Sequence, residues 1–409
     1  MKRLSVFVLI MILALGLVSC SSGQGSSSSS AVDQKTDETV SDNETHKIAV
    51  LVYDRTDDEV LSFRKYLVDY LGVAFNVEFI YSDSSRSAED SAKFIKEAAE
   101  YGAEGVMSFV VYDLPGEVAL CEQYGIYYIA ASGTVSNEAF AAVEDSSSFL
   151  GVIGPGDFIE YKAGSDIASH FLEKHPQDTE YFILSGGGCL GNEMHKQRTM
   201  GILDTLKNAY GFSLDRTTEE IAVSSEPVQI EDGDLKICVC PGYHTIDSYL
   251  EMAREEYAAH PYGIVMAVLP ASHILEEIKG SVLATVDCYS ESNLQLFTSG
   301  RLDYLVGKYS SIIGPSFAAM YNAITGHAEE MRQNGKAFHI TQGFWISDGE
   351  EDFDEKYVLA NSIEINAYNY DDLRNVILEF TPDASLDDLR ELAEAYTYKN
   401  AVERRSQKG

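Results

Sequence analysis

Residues 181–198 read YFILSGGGCLGNEMHKQR, and Gly186, Gly188 and Gly191 have the G-x-G-x-x-G spacing with which a backbone cradles a pyrophosphate. A dinucleotide fingerprint belongs on the first strand of its fold, with an acidic residue at the tip of the next. Here the glycines lie mid-chain, and the next apolar stretch, Ile221–Val223, ends in Ser224 and Ser225. They are better suited to turning the backbone at a cleft so that Asn192 or Glu193 can open a helix. The cysteines offer no stronger chemistry. Apart from Cys20 they are Cys121, Cys189, Cys238, Cys240 and Cys288, an odd set. Cys238 and Cys240 would share one strand face, a poor geometry for a bridge, and a metal there would need further ligands in register. The nine histidines are scattered without metal-ligand spacing. G-x-S-x-G, H-E-x-x-H and G-x-x-x-x-G-K-[ST] are absent, so no enzyme, cofactor or metal is expected.

The elements around these residues alternate. Ile48–Tyr53, Val77–Tyr81, Val106–Val111 and Tyr127–Ala130 are short β-rich runs. Between them, Val60, Leu61, Phe63, Leu67, Tyr70 and Leu71, then Ala92, Ile95, Ala98 and Ala99, repeat at helical spacing. A second series places strands at Phe149–Ile153, Tyr181–Leu184, Ile221–Val223, Ile237–Cys240, Ile264–Val268 and Val282–Asp287, with helices at Ile159–Glu173, Asn192–Tyr210, Asp247–Ala258 and Ser272–Lys279. The fold class is therefore α/β: two doubly wound parallel-sheet lobes joined by a hinge, with any ligand expected where the carboxyl ends of the strands face a shared cleft.

Lys2 and Arg3 precede an apolar run from Val6 to Val18 that is short for a membrane span, which predicts a signal peptide over residues 1–19. Leu17-Val18-Ser19-Cys20 resembles the lipobox of bacterial lipoproteins, which implies lipidation of Cys20 and a membrane anchor on the extracytoplasmic face. Residues 20–45 are serine-rich and nearly devoid of large apolar side chains, a flexible linker. The chain of 409 residues has 65 acidic against 30 basic side chains, and losing Lys2 and Arg3 would take its formal charge from −35 to −37. Such a surface repels nucleic acid, so no nucleic-acid partner is expected. The remaining length suits two lobes and a monomer.

With these elements in order, the chain from Lys47 to Ile346 resembles the type 1 periplasmic binding protein family, the solute-binding components of ABC importers. Three stretches carry the resemblance: Tyr161-Lys162-Ala163-Gly164 with Ile167, Ala168, Phe171 and Leu172; Arg198-Thr199-Met200-Gly201-Ile202-Leu203; and Val306-Gly307-Lys308 followed by Gly314-Pro315-Ser316-Phe317-Ala318-Ala319. The resemblance implies a first lobe of residues 46–133 plus 310–345, a second of 134–309 plus 346–384, and a C-terminal helix or tail over 385–409. It also implies hinge closure near Ser132, Tyr309 and Ile346, and delivery of a small polar ligand, a sugar first, to a permease. A sensor that docks on a membrane kinase has the same fold, and a secreted enzyme on this scaffold would need a nucleophile and base that the sequence lacks.

The expected ligand contacts follow the strand ends. Tyr53 can stack on a pyranose face, while Asp54 either takes hydroxyl donors or caps the helix beginning near Asp57, and Arg55 follows it. Tyr112 and Asp113 occupy the position of the family's carboxylate, unless Asp113 only turns the chain ahead of Pro115-Gly116. Ser132 and Gly188 could present backbone to the ligand. Arg198 matches the family arginine of the second lobe and Asp287 its late aspartate. Two departures weaken a sugar reading: Leu269-Pro270 stands where sugar binders often carry Asn-Asp, and Lys308 stands where glutamine is common. A gained cation admits an anionic ligand. Tyr243 and His244 are candidate rim contacts, and Trp345, the only tryptophan, reads as core.

Overall fold

The computed structural model describes residues 45–406 apart from 244, 272, 273 and 275. The signal peptide, Cys20, nearly all of the linker and His244 lie outside the described residues. The strands are β1 (His46–Leu51), β2 (Val77–Tyr81), β3 (Gly105–Ser108), β4 (Tyr127–Ala131), β5 (Phe149–Gly154), β6 (Glu180–Leu184), β7 (Val228–Asp232), β8 (Leu235–Cys240), β9 (Ile264–Ala267), β10 (Val282–Cys288), β11 (Leu302–Lys308), β12 (Phe338–Thr341) and β13 (Trp345–Asp348). They form two sheets. Lobe one has the order β12-β5-β4-β3-β1-β2, parallel throughout, and lobe two β13-β11-β10-β9-β6-β8-β7. In lobe two the central strands are parallel and the edge strands β7 and β13 run antiparallel. The inner strands β5 and β9 are apolar along their whole length because helices cover both faces.

Three boundaries differ from the sequence reading. Phe149–Gly154 does not open lobe two; it pairs with β4 on one side and β12 on the other. Its apolar run identifies a strand, but its partner β12 lies nearly two hundred residues away, beyond what periodicity can show. The chain therefore first crosses between lobes at Gly154–Gly156, not near Ser132, which sits between two strands of lobe one. The segment 362–384, assigned to lobe two, returns to lobe one: Asn322, on the lobe-one helix Gly314–Asn322, donates to the Val376 carbonyl and accepts from the Leu378 amide. Residues 385–406 form the helices Leu386–Glu394 and Tyr398–Ser406, and the first packs on Gly314–Asn322 and β12.

Ile221–Val223 is not a strand. Thr217 caps the helix Thr218–Ala222, its hydroxyl accepting from the Glu220 amide while the Glu220 carboxylate accepts from Thr217, so a local capping box overrides a β-branched run. The helix expected at Ser272–Lys279 lies partly on residues outside the described set. Cys238 and Cys240 are buried thiols of β8, and all five described cysteines are free.

The motif helices of lobe two explain their own glycines. Gly156–Lys174 and Glu193–Tyr210 cross so closely that a Cβ on Gly164 would lie 1.8 Å from the Arg198 carbonyl oxygen, and one on Gly201 2.0 Å from that of Tyr161. Only hydrogen fits at either position. This contact locks the first two helices of lobe two together and sets where Glu160 and Arg198 meet.

Candidate functional site

The loop between β6 and Glu193–Tyr210 holds the glycine fingerprint. Gly186 and Gly191 take positive φ (63° and 85°), and the Asn192 side chain caps the helix by accepting from the His195 amide. Gly188 is buried against the Ala222 carbonyl, 2.5 Å from where its Cβ would lie, so it serves packing against the next helix. Gly187 lies under the Tyr243 ring, which a Cβ would approach to 3.2 Å. The loop is a turn that makes room for an aromatic side chain.

Between the lobes, the end of β1 meets the ends of β10 and β11. Tyr53 follows β1 and donates its hydroxyl to Asp57 Oδ1 at 2.8 Å. Asp57, not Asp54, caps the helix Asp58–Arg64, accepting from the Glu59 amide at 2.9 Å. Across from it, Asp287 at the end of β10 accepts from the Cys288 amide at 2.8 Å and from Asn293 Nδ2 at 3.0 Å. Two bonds join the lobes here: Lys308 Nζ donates to Glu59 Oε1 at 3.0 Å, and the Ser292 hydroxyl donates to Asp58 Oδ2 at 2.9 Å. The Lys308 and Glu59 side chains keep only 9% and 12% of their exposure.

This acidic junction is electrostatically unbalanced. Burial, then repulsion from Asp57, pushes the Asp287 carboxyl up to about 7. Burial, then repulsion from Glu59, raises Asp57 to about 6. Tyr53 is held far above the ordinary phenol value by burial and then by Glu59 and Asp57. A phenol, and a carboxyl group while it holds its proton, donates a hydrogen bond as well as accepting one.

Arg198 lies deeper, against the hinge. Its Nε donates to Glu160 Oε2 at 2.5 Å and its Nη1 to the Val268 carbonyl at 2.7 Å, and Phe344 lies beneath the guanidinium at 5.6 Å. Glu160 is wholly buried and Arg198 retains 5% of its side-chain exposure. Thr134, from the loop after β4 in lobe one, donates to the other Glu160 oxygen at 3.2 Å. A buried pair of this kind needs further hydrogen bonds to offset its desolvation, and the Val268 carbonyl and the Thr134 hydroxyl supply two.

The remaining expected contacts are spread along the cleft edge of lobe one. Asp54 accepts from the Thr56 amide and hydroxyl and pairs with Arg86 at 2.6 Å; Arg55 pairs with Asp83 at 2.8 Å. Asp113 caps the helix Leu114–Tyr124, accepting from the Gly116 amide, which is the turn alternative rather than a free carboxylate. Tyr112 donates to the Ser85 carbonyl at 2.7 Å and leaves 41% of its surface exposed. Burial first, then the Coulombic influence of Tyr243 of lobe two, raises its phenol to about 12. Ser132 is buried at φ 60° and its Oγ has no hydrogen-bond partner, a strained residue with an unused donor. Sequence reasoning missed Asp57, Glu59 and Glu160. The D-x-E spacing around a helix start could have marked the first two, whereas the 249-residue separation of Glu59 from Lys308 leaves no local sign.

No protein-family model matches the chain, and no curated protein does. Among solved structures, a periplasmic sugar-binding protein from Pseudomonas fluorescens aligns with TM-score 0.61 at 12% identity over 87% of this chain and 99% of its own. The arabinose-binding component of an ABC transporter from Shewanella sp. ANA-3 aligns with TM-score 0.55 at 13% identity over 76% and 94%. A carbohydrate transporter from Acidothermus cellulolyticus 11B in complex with myo-inositol aligns with TM-score 0.54 at 15% identity over 78% and 99%. The architecture is thus the two-lobed fold of the periplasmic binding proteins, as the type 1 resemblance implied. These neighbours are binding and transport proteins by name. Among the described residues no helix is long and apolar enough to cross a membrane.

Proposed function

We propose that this chain is an extracytoplasmic solute-binding protein of an ABC importer, anchored by lipid on Cys20, that takes a small, uncharged, hydroxyl-rich ligand, a sugar or polyol, between its lobes. The observation that carries the reading is the junction of Tyr53 and Asp57 with Asp287 and Lys308 at the carboxyl ends of strands from both lobes. The fold neighbours named for arabinose and myo-inositol support the ligand class. Charge supports it too: Lys308, Arg198 and Arg55, the cations that would welcome an anion, are each committed to a carboxylate of the chain. What remains for a ligand is tyrosine hydroxyls, the unused Ser132 hydroxyl and carboxyl groups, which suit hydroxyl groups that both donate and accept. A bound ligand that bridges the lobes favours the closed state by its differential affinity for it.

The chain from Thr45 onward lies within one compact unit and is the material for the test. Its thermal unfolding is followed against monosaccharides, polyols, oligosaccharides, nucleosides, amino acids and small anions. A ligand present at about a hundred times its dissociation constant adds roughly 2.7 kcal/mol to stability. A sugar or polyol that raises the melting temperature, with the rise abolished in a folded Asp287→Ala variant, is the expected result. Stabilisation by anions alone would overturn the ligand class, and a blank panel from ligand-stripped protein would overturn the binding-protein reading.

A further inference from the structure

We infer that the last described segment, Leu386–Ser406, is a strap across the hinge that holds the two lobes in their observed relation before any ligand arrives. The chain passes between lobes at Gly154–Gly156, Lys308–Ser310, Gln342–Trp345 and Ser362–Asn369, and the strap runs over the last three. Its first helix buries Leu386, Leu389 and Ala393 in lobe one, where Arg390 donates to the His339 carbonyl of β12 at 3.2 Å. Its middle rests on lobe two. The Trp345 indole of β13 donates to the Tyr396 carbonyl at 2.7 Å, and the Tyr398 ring stands edge-on to Trp345 at 5.2 Å. The Tyr398 hydroxyl donates to the Glu355 carbonyl of the lobe-two helix Glu350–Asn361 at 3.1 Å.

The crossings themselves are bound to the strap. Tyr309, on the second crossing, stacks on Trp345 at 4.0 Å and donates to the same Tyr396 carbonyl at 3.3 Å. Gln342, on the third, donates to the Tyr368 hydroxyl at 3.1 Å, and Tyr368, on the fourth, donates to the Ala393 carbonyl at 3.4 Å. The Tyr396 ring lies so close to Gly343 that a Cβ there would be 2.7 Å from it. Rotating one lobe against the other changes the backbone angles of the crossings and so shears this set of contacts. On the opposite side of the hinge, Glu59–Lys308 and Asp58–Ser292 close the lobes together. Lobe opening must therefore break contacts on both sides, and the strap sets the balance between open and closed states independently of what the ligand is.

The test uses the full chain without ligand and reads amide hydrogen exchange. Gly343→Ala keeps an ordinary backbone conformation but drives its methyl into the Tyr396 ring. The expected result is exchange at least tenfold faster over residues 395–398 and also over 57–60 and 287–293, the far side of the hinge, with β3 and β6 unchanged. Adding Tyr396→Ala makes room for the methyl and restores slow exchange at 57–60 and 287–293. If the first substitution loosens 395–398 alone, or leaves every segment as it was, the strap has no hold on the lobes. Tyr398→Ala, which removes the contacts to Trp345, to the Glu355 carbonyl and to the Lys356 ammonium above the ring, answers the same question should Gly343→Ala fail to fold: faster exchange at 57–60 supports the strap and none refutes it. Because no ligand enters, the outcome stands apart from the sugar-binding reading.

Discussion

Replacing Asp57 by Asn isolates the electrostatic cost of joining the lobes through carboxylates. Asparagine keeps the shape and is an equally good helix cap, and its oxygen can still accept from the Glu59 amide and the Tyr53 hydroxyl. Only the charge goes. Asp57 and Asp287 hold pKa values of about 6 and about 7 against the ordinary 3.8, so between pH ~4 and ~7 the native state binds more protons than the unfolded chain. The stability these two groups allow is therefore complete below the unfolded value and declines as pH rises through the native ones. At about 1.4 kcal/mol per unit, ionising Asp57 costs the native state at most ~3 kcal/mol by neutral pH. A carboxylate at a helix start returns about 0.3–1 kcal/mol of that, and partial hydration of the junction lowers it further. The net gain for Asp57→Asn is about 1–2 kcal/mol at pH ~8, and near zero at pH ~3, where the carboxyl is protonated in the native and unfolded chains alike. Urea unfolding of both proteins at the two pH values gives the difference. A variant equally less stable at both, or no more stable than the parent at pH ~8, would refute the reasoning, because the carboxylate would then be stabilising rather than strained.

The other predictions concern single buried contacts. Arg198→Met strands the Glu160 charge in a dry site and should cost about 3–5 kcal/mol in denaturant unfolding, with Glu160→Gln in the same chain recovering most of it. Gly201→Ala should destabilise by about 2–3 kcal/mol or more, because its methyl meets a backbone oxygen that cannot move aside, whereas Gly211→Ala at a solvent-facing helix end should cost only about 1 kcal/mol for its left-handed backbone. Ser132→Gly should raise stability by about 0.5–1 kcal/mol by releasing a strained φ, while Ser132→Ala, which removes an unpartnered hydroxyl, should leave it unchanged or slightly higher. A loss above about 1 kcal/mol in the alanine variant would mean that the hydroxyl has a partner after all.

Local order in this chain is legible from its sequence, and distant pairing is not. The runs Ile48–Val52, Tyr181–Leu184, Ile237–Cys240 and Ile264–Val268, at β1, β6, β8 and β9, are apolar without interruption, as strands covered on both faces are. The Tyr161–Gly164 and Arg198–Gly201 stretches can be recognised because two helices must touch there, whatever the ligand. Phe149–Gly154 shows the limit: its residues identify a strand, but sheet membership depends on β12, far along the chain. The same limit governs the site. Asp287 and Tyr53 occupy strand ends that alternation predicts and Lys308 one that only the family resemblance implies, yet the lysine's partner is Glu59, and Arg198 is claimed by Glu160, neither deducible from spacing. Asp113 and Thr217 went the other way, since their capping roles follow from residues three or four positions on and outweigh the longer-range expectation.

Trp345 gives the molecule a built-in optical gauge. It is the one indole in a chain with 25 tyrosines, sealed between Tyr309 and Tyr398 at the third crossing. Its emission has no second source to dilute it, and its ring neighbours come from lobe two (Tyr289), from the second crossing (Tyr309) and from the C-terminal segment (Tyr398). Light absorbed by the tyrosines around it drains to a single emitter seated on the pivot. A shift in that one spectrum would register motion of the whole molecule without a dye, a label or an added cysteine, and would do so on the timescale of the motion itself.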